Sequence, residues 1–476
     1  MTAGSARAVP RIVYLAGNDI EIDARVRKYI RSAVSAGLDV VVVGLSRSGH
    51  DEEVVIEGAR TIRVAPGPRP AAAPGPPPAT GSMAVFRRRV RSVPDRLRRR
   101  IRRTGWVAAL PVPERMVPAA LSREAQLEMF LGKPDLARWR DVLPELQSYE
   151  TVCGPVLDEL DADLIHPHDV FMLGVAVRAA ERAAARGRDV PVIYDAHEYL
   201  PGLAGPPARA TAAYVDHERE YVGRAARVIT VSAPIADELK RSYHLERRPS
   251  LVLNAPIIDP PDPEPVSVRL AAGIAEGISI LLYGGGLAQP RGVHTVVEAL
   301  PLLPGVHLVV VSRAPSHYTR ELQARAGELG CADRYHEVGF VEPAQVVTFF
   351  SSATVGIVPL LHAGNHDWAL TNKFFEYINA GLPIVTSDTQ VQQELVNELG
   401  IGEVFVAGDP NSCARAVRTV LADLERYRAP LRDPELLRRM SWAAQSEVFL
   451  GLYRELLGPL PVDGAVEPAR DGTLDP

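Results

Sequence analysis

Residues 370–385 read LTNKFFEYINAGLPIV. Thr371 and Asn372 are residues that start helices, Gly381 is one that stops them, and 383–387 is short and apolar. The stretch therefore predicts a helix from about 371 to 380 followed by a buried strand. Phe374, Phe375, Tyr377 and Ile378 give that helix an apolar body, and Glu376 stands alone among them with Lys373 just before it. Unpaired amides and the helix dipole make a helix mouth a site for phosphate. A carboxylate one turn inside cannot hold phosphate. It either complements the dipole or accepts two hydrogen bonds from a vicinal diol, such as the ribose beside a nucleotide's phosphates.

The same alternation of helix and strand runs outward in both directions. Apolar runs at 11–16, 39–45, 61–65, 163–168, 190–195, 227–232 and 250–254 are separated by longer segments, several with helical patterns. A second series follows at 278–284, 306–312, 335–340, 355–360, 383–387 and 403–407. Strands this apolar are buried on both faces, as in a parallel sheet wrapped by helices. Between the two series, 256–265 (PIIDPPDPEP) reads as a linker. The expected fold is α/β, with two doubly wound domains facing a cleft: 1–256 and 257–457, then a disordered tail over 458–476. Ligands of such folds bind beyond the carboxyl ends of the strands. The first helix is expected over 22–36, with Ile22, Val26, Ile30 and Ala33 on one face and Gly37 as its stop.

Composition bounds the class. The chain has 476 residues, 46% hydrophobic and 23% charged, which suits a soluble globular protein of two or three domains. A net charge of −5 argues against a nucleic-acid partner. Cys153, Cys331 and Cys413 are far apart and odd in number, which fits a reducing cytoplasm better than a disulfide framework. The apolar run at 12–17 is too short for a signal core, and no run of about 18 apolar residues exists to span a membrane. Between 66 and 150 the alternation breaks. Seven prolines fall in 66–78, and 87–103 carries ten arginines against one acid, Asp95. Phe86, Val90, Val93, Leu97 and Ile101 recur at helical spacing, giving a basic amphipathic helix kinked near Pro94. It reads either as a helix lying on an anionic membrane surface, placing the protein at the inner face of the membrane, or as a basic lid on the rest of the chain.

Residues 283–292, YGGGLAQPRG, combine a strand end, three glycines and a helix start near Val293. That is an anion site with Arg291 as a phosphate fork, or else a tight turn with a solvated arginine. The spacing is neither G-x-G-x-x-G nor a P-loop, which argues against a dehydrogenase or an NTPase. At 194–200, YDAHEYL brings His197 and Glu198 to the cleft from a strand end, and Gly17 and Asn18 follow the first strand. Asp23 and Arg25 open the next helix; they either face the acceptor side of the cleft or serve as a cap and a surface cation. The DAD at 161–163 precedes a strand and so points away from the cleft. The HPHD at 166–169 sets two histidines on one side of an extended chain but lacks further ligands at suitable spacing. No metal site is expected, and His168 is read as lining the acceptor side.

Taken in order, YDAHEYLP, VLNAP, YGGGLAQPRG and NKFFEYINAGLPIV resemble the retaining GT-B glycosyltransferases of glycosyltransferase family 4. The resemblance covers almost the whole chain outside 66–150. It implies two Rossmann-like domains and a metal-independent, cofactor-free transferase. Such an enzyme moves a sugar from a nucleotide-diphosphate donor to an acceptor with retention; the acceptor is unidentified, and lipid-linked if the basic helix docks on a membrane. The family pattern is a Glu, seven residues, and a second Glu. Glu376 matches the second, which holds the ribose, whereas Trp368 stands at the first, which touches the transferred sugar, with Asp367 beside it. Gly286 stands where the family has an arginine and Arg291 where it has a lysine. The diphosphate is thus expected to meet Arg291, Lys373 and the backbone at Gly17, Gly285, Gly286, Thr371 and Asn372. The VGFV at 338–341 resembles the segment that reads the base, through Phe340 and Val341. His197 is expected near the sugar, completing a catalytic set with Arg291 and Lys373; Asp23, Arg25, His168 and Glu198 form the acceptor-side set. The alternatives are a nucleotide-sugar epimerase and a catalytically silent subunit of the same fold.

Overall fold

Most of the continuous apolar runs become parallel strands. The computed structural model describes residues 9–67, 121–258, 266–313 and 316–461. The expected basic helix at 86–103, most of the expected linker and the residues beyond 461 lie outside the described residues. In the first domain β1 (Arg11–Ala16), β2 (Asp39–Leu45), β3 (Glu52–Ile56), β4 (Ala59–Val64), β5 (Leu164–His168), β6 (Ile193–Ala196), β7 (Arg227–Thr230) and β8 (Ser250–Leu251) form one sheet, ordered β3-β4-β2-β1-β5-β6-β7-β8. All neighbours are parallel except β3 and β4. β3 was not expected: its EEVVI alternates charged and apolar residues, as an edge strand with one wet face does. It joins β4 through Glu57 and Gly58, both at positive φ, the backbone of a two-residue hairpin.

Residues of β1 alternate between the two faces of the sheet. Val13 and Leu15 pack with α2 (Glu145–Leu160), α3 (Val170–Ala185) and α4 (Ala208–Tyr221), whereas Ile12 and Tyr14 pack with a helix on the other side, Ala24–Ser35. This helix, α1, begins two residues later than expected. Asp23 caps it by accepting the Val26 N–H, and Ile22 is left outside, 57% exposed, while Tyr29 joins Val26, Ile30 and Ala33 on the buried face. Inside the expected insert, residues 123–131 are helical and pack on α4 through Leu127 and Phe130.

The second domain holds β9 (Ser279–Gly284), β10 (Val306–Val311), β11 (Tyr335–Val338), β12 (Val355–Val358), β13 (Ile384–Ser387) and β14 (Gly402–Phe405), all parallel, in the order β11-β10-β9-β12-β13-β14. Its helices include α5 (Val293–Ala299) and α6 (Asn372–Asn379). Both sheets reverse their winding beside their first strand, between β1 and β5 and between β9 and β12. That switch point is where open α/β sheets leave a crevice.

The last helix, α7 (Trp442–Leu457), leaves the second domain and packs on the first. Trp442, Phe449 and Tyr453 join Tyr14, Tyr29, Leu164, Ile193 and Ile229 in one core, and Tyr453 Oη meets Tyr14 Oη at 2.8 Å. Residues 442–457 therefore belong by packing to the first domain, because α1 shares the face of β1, β5, β6 and β7 with them. Leu460 is buried in the same core, so the stretch just after α7 is packed where a disordered tail was expected. Among the described residues no helix is long and apolar enough to cross a membrane.

Candidate active site

The glycine turn and the mouth of α6 are built as one piece. β9 ends at Gly284, and Gly285 follows at φ +126°, a conformation that favours glycine. A Cβ there would lie 3.4 Å from the Lys373 Nζ. The Tyr377 hydroxyl accepts the Gly284 N–H at 2.9 Å and donates to the Leu282 carbonyl at 3.0 Å, pinning α6 to the turn. Thr371 sits at the N-cap without a side-chain cap bond, and its Oγ1 is buried with no partner among the described residues. Gly286 is open on its Cβ side, and its carbonyl accepts the Tyr283 hydroxyl at 2.6 Å.

Three charges converge here. Arg291 is half-buried on the turn before α5, with no side-chain bond to another described residue. Lys373 is buried with its Nζ 5.0 Å from the Tyr283 ring centre. Burial and the nearby Arg291 push its ammonium down to about 7, although Glu376 pulls the other way. The Glu376 carboxylate is half-buried and has no hydrogen-bond partner among the described residues. Burial raises it, against the pull of Lys373 and of Lys28, which reaches over from α1. Lys28 Nζ donates to Asn254 Oδ1 and to the Ala255 carbonyl, both at 2.6 Å, and Asn254 in turn donates to Asn372 Oδ1 at 2.9 Å. A cavity of about 660 Å³ lies between the domains here, lined in part by Lys28, Asn254, Phe340, Asn372 and Glu376. Phe340 is 46% exposed, with the Arg313 guanidinium 4.5 Å above its ring, whereas Val341 packs into the second core.

The first domain meets only some expectations. Gly17 is packed closely against the start of α3, where a Cβ would fall 3.1 Å from Phe171 Cβ. Asn18 folds onto its own turn, accepting the Ile20 N–H and donating to Asp23, so Asp23 is a cap. Arg25 and His168 are corrections: neither lines the cleft. Both lie on buried surfaces of the sheet and α1, where Asp195 draws them in. His197 is half-buried and Glu198 exposed, and Glu198 lies near enough to Arg291 of the second domain to feel its charge. The fold also gathers His166, His168 and Asp195 with ligand atoms within 4.8 Å. The Arg25 fork, however, holds both Asp195 oxygens, and the Tyr453 hydroxyl takes His166 Nδ1 at 2.7 Å. This cluster carries its own cation and is a hydrogen-bonded core.

Trp368 turns to the first domain, stacked on Tyr199 with ring centres 4.5 Å apart. Asn365 Oδ1 accepts the Tyr199 N–H at 3.1 Å, and a Cβ on Gly364 would fall 2.4 Å from the Gly202 backbone. Asp367 is held by His362 Nδ1 at 2.7 Å, and His362 Nε2 reaches Asp388 at 3.0 Å. Sequence reasoning missed Lys28, Arg313 and His362. Lys28 lies three residues after Arg25 on α1, but helical spacing does not separate a cleft from solvent; Asn254 was legible only as part of VLNAP.

Two family models match in chain order: Glycosyltransferase Family 4 over residues 149–257 and Glycosyl transferases group 1 over residues 278–423. An uncharacterised glycosyltransferase of Methanocaldococcus jannaschii is 23% identical over 258 residues, 51% of this chain and 64% of that protein, so the chain spans less than two thirds of this relative's length. The solved sucrose-phosphate synthase of Thermosynechococcus elongatus superposes over 94% of this chain and 99% of its own at a TM-score of 0.63 and 17% identity. Anabaena HepE, solved in complex with UDP and glucose, does so over 94% and 100% at a TM-score of 0.58 and 14% identity. At those identities the structural likeness is one of fold. Two glycosyltransferase family models, each on its own domain, and the shared two-domain architecture give this chain the GT-B fold and mark it as similar to the glycosyltransferases of family 4.

Proposed function

We propose that the chain transfers a sugar from a nucleoside-diphosphate donor to an acceptor hydroxyl with retention at the anomeric carbon, and without a divalent metal. The observation that carries this is the α6 mouth. Two cations, Arg291 and Lys373, lie beside free amides and an unpaired diol acceptor, Glu376, and Glu376 opens onto a nucleotide-sized cavity. The chemical need is to stabilise a departing diphosphate while positive charge builds on the sugar. Preorganised donors aimed at the leaving group meet it. Arg291, Lys373 and the backbone at Gly285, Thr371 and Asn372 take the diphosphate, Glu376 the ribose, Phe340 the base and His197 the sugar. Retention and metal independence rest on the family resemblance. Anabaena HepE was solved with UDP and glucose, which makes UDP the first nucleotide to try. The test is a thermal-shift series of nucleoside diphosphates in EDTA. A ligand at 100 times its Kd adds about 2.7 kcal/mol of stability. A clear rise with one nucleotide is expected; no rise with any, or a rise that needs a metal, overturns the reading.

A further inference from the structure

Behind His197 lies a polar cluster that the proposed reaction leaves unexplained. His197 is the first residue beyond β6. Its Nε2 turns inward, 3.5 Å from Asp195 Oδ2 and 3.3 Å from His168 Nδ1. Its Nδ1 has no partner among the described residues, and the side chain is 19% exposed. Asp195 is wholly buried, and Arg25, 5% exposed, forks onto its two oxygens at 2.9 Å each. Arg25 is itself fixed by the Val252 carbonyl at 3.0 Å and the Tyr29 hydroxyl at 3.3 Å. A buried ion pair repays its desolvation poorly as a source of stability, so its position at the strand end that delivers His197 calls for another account.

We infer that Asp195, fixed by Arg25, is the positioning residue for His197: it holds the imidazole with an Nε2–H directed inward, so that Nδ1 is the nitrogen offered to the cleft. This rests on reading the cleft as the site of glycosyl transfer. The arrangement follows the logic by which a buried carboxylate fixes the tautomer of a histidine. The charged groups around His197 are Asp195 on its own strand, Asp169 at the start of α3, Asp23 and Arg25 on α1, and Glu198 beside it, with His166 and His168 on β5. Burial and Arg25 favour the neutral ring, but Asp195 outweighs them and raises the His197 pKa, while burial keeps His166 and His168 neutral. His197 thus keeps both ring protons at a pH where free histidine has lost one. In that form Nδ1–H donates to a hydroxyl of the transferred sugar; in the neutral form the same nitrogen offers only a lone pair.

The test reads the ring itself. In the full chain carrying ¹⁵N-labelled histidine, with His197→Gln as the assignment control, the His197 nitrogens report both the titration midpoint and the tautomer. The expected result is a midpoint above that of free histidine and a neutral form protonated at Nε2. Asp195→Asn is expected to lower the midpoint. Because that variant leaves Arg25 unpaired, Arg25→Gln/Asp195→Asn is measured beside it, with the same downward shift expected. A wild-type midpoint at or below that of free histidine, or one that neither variant moves, overturns the inference. UDP binding to the second domain should be unchanged in these variants, while kcat falls roughly ten- to hundredfold, the range for a charged hydrogen bond, most steeply at alkaline pH. Parallel loss of UDP affinity would mean a merely structural role and also overturns it. If the ring titrates as expected and the wild-type chain transfers no sugar, glycosyl transfer is the reading that fails.

Discussion

Glu376 stands in a place that works against a charge: burial raises its carboxyl, and Lys373 and Lys28 oppose that. Two hydroxyls of a bound ribose would replace the lost water. Glu376→Gln keeps the shape and loses the charge, and a charge-assisted hydrogen bond is worth about 1.5–3 kcal/mol. Donor affinity should therefore fall tenfold to a hundredfold with an unchanged circular dichroism spectrum; calorimetry with a nucleoside diphosphate, where equal affinities would exclude the clamp, decides it. Lys373 makes a pH prediction. Free, its ammonium is pushed down to about 7; a bound diphosphate restores the charge and raises it. Between those two values binding takes up a proton, so affinity should fall as pH rises above about 7 and be flat below. Proton uptake at pH 8, read from binding heats in two buffers of different ionisation enthalpy, checks this, and Lys373→Arg, which stays charged, should abolish it. Neither behaviour was legible in the sequence, where Lys373 and Glu376 show their spacing but not their burial.

The element that gathers these residues is the unit of β9, its glycine turn and α6. One hydroxyl, that of Tyr377, ties the turn to the helix by serving Gly284 and Leu282 together. Tyr377→Phe leaves a buried N–H unpaired, at a cost of roughly 1–3 kcal/mol. Its expected signature is lower thermal stability together with weaker diphosphate binding, because the turn loses its fixed distance from Lys373; a stability loss with unchanged binding would show that the hydroxyl only stabilises. At this scale the sequence was most readable. LTNKFFEYINAGLPIV carries start, stop and apolar face within sixteen residues, and DVVVVGL appears as β2 with its expected bounds. EEVVI escaped because an edge strand alternates, and the start of α1 was misplaced because periodicity admitted Ile22 while the Asp23 cap excluded it. Arg25 and His168 escaped for a different reason: their partner, Asp195, is 170 residues away from Arg25 along the chain. No local pattern records such a pair.

At the scale of the molecule the two domains meet through the Lys28–Asn254–Asn372 chain on one side and the Trp368–Tyr199 stack on another. They are also joined by α7, which follows the second domain in sequence and completes the first in space. Phe449 is fully buried there, its ring centre 4.4 Å from that of Tyr29. Phe449→Ala should cost about 3–5 kcal/mol and loosen the domain that precedes it. Hydrogen exchange should accelerate at β1 and β5 while β9 and β12 keep their protection; acceleration confined to the second sheet would contradict the packing. The placement of α7 also has a consequence for how the protein is made. A ribosome releases β8, which ends at Leu251, about 190 residues before it begins α7 at Trp442. At roughly 5–20 residues per second that is a wait of about 10–40 s. Throughout it the nascent first sheet carries an uncovered apolar face around Tyr14, Ile193 and Ile229. The domain translated first is thus the last to be finished, and a chain cut short before residue 442 would leave the cell a sound second domain tethered to a sticky, unfinished first.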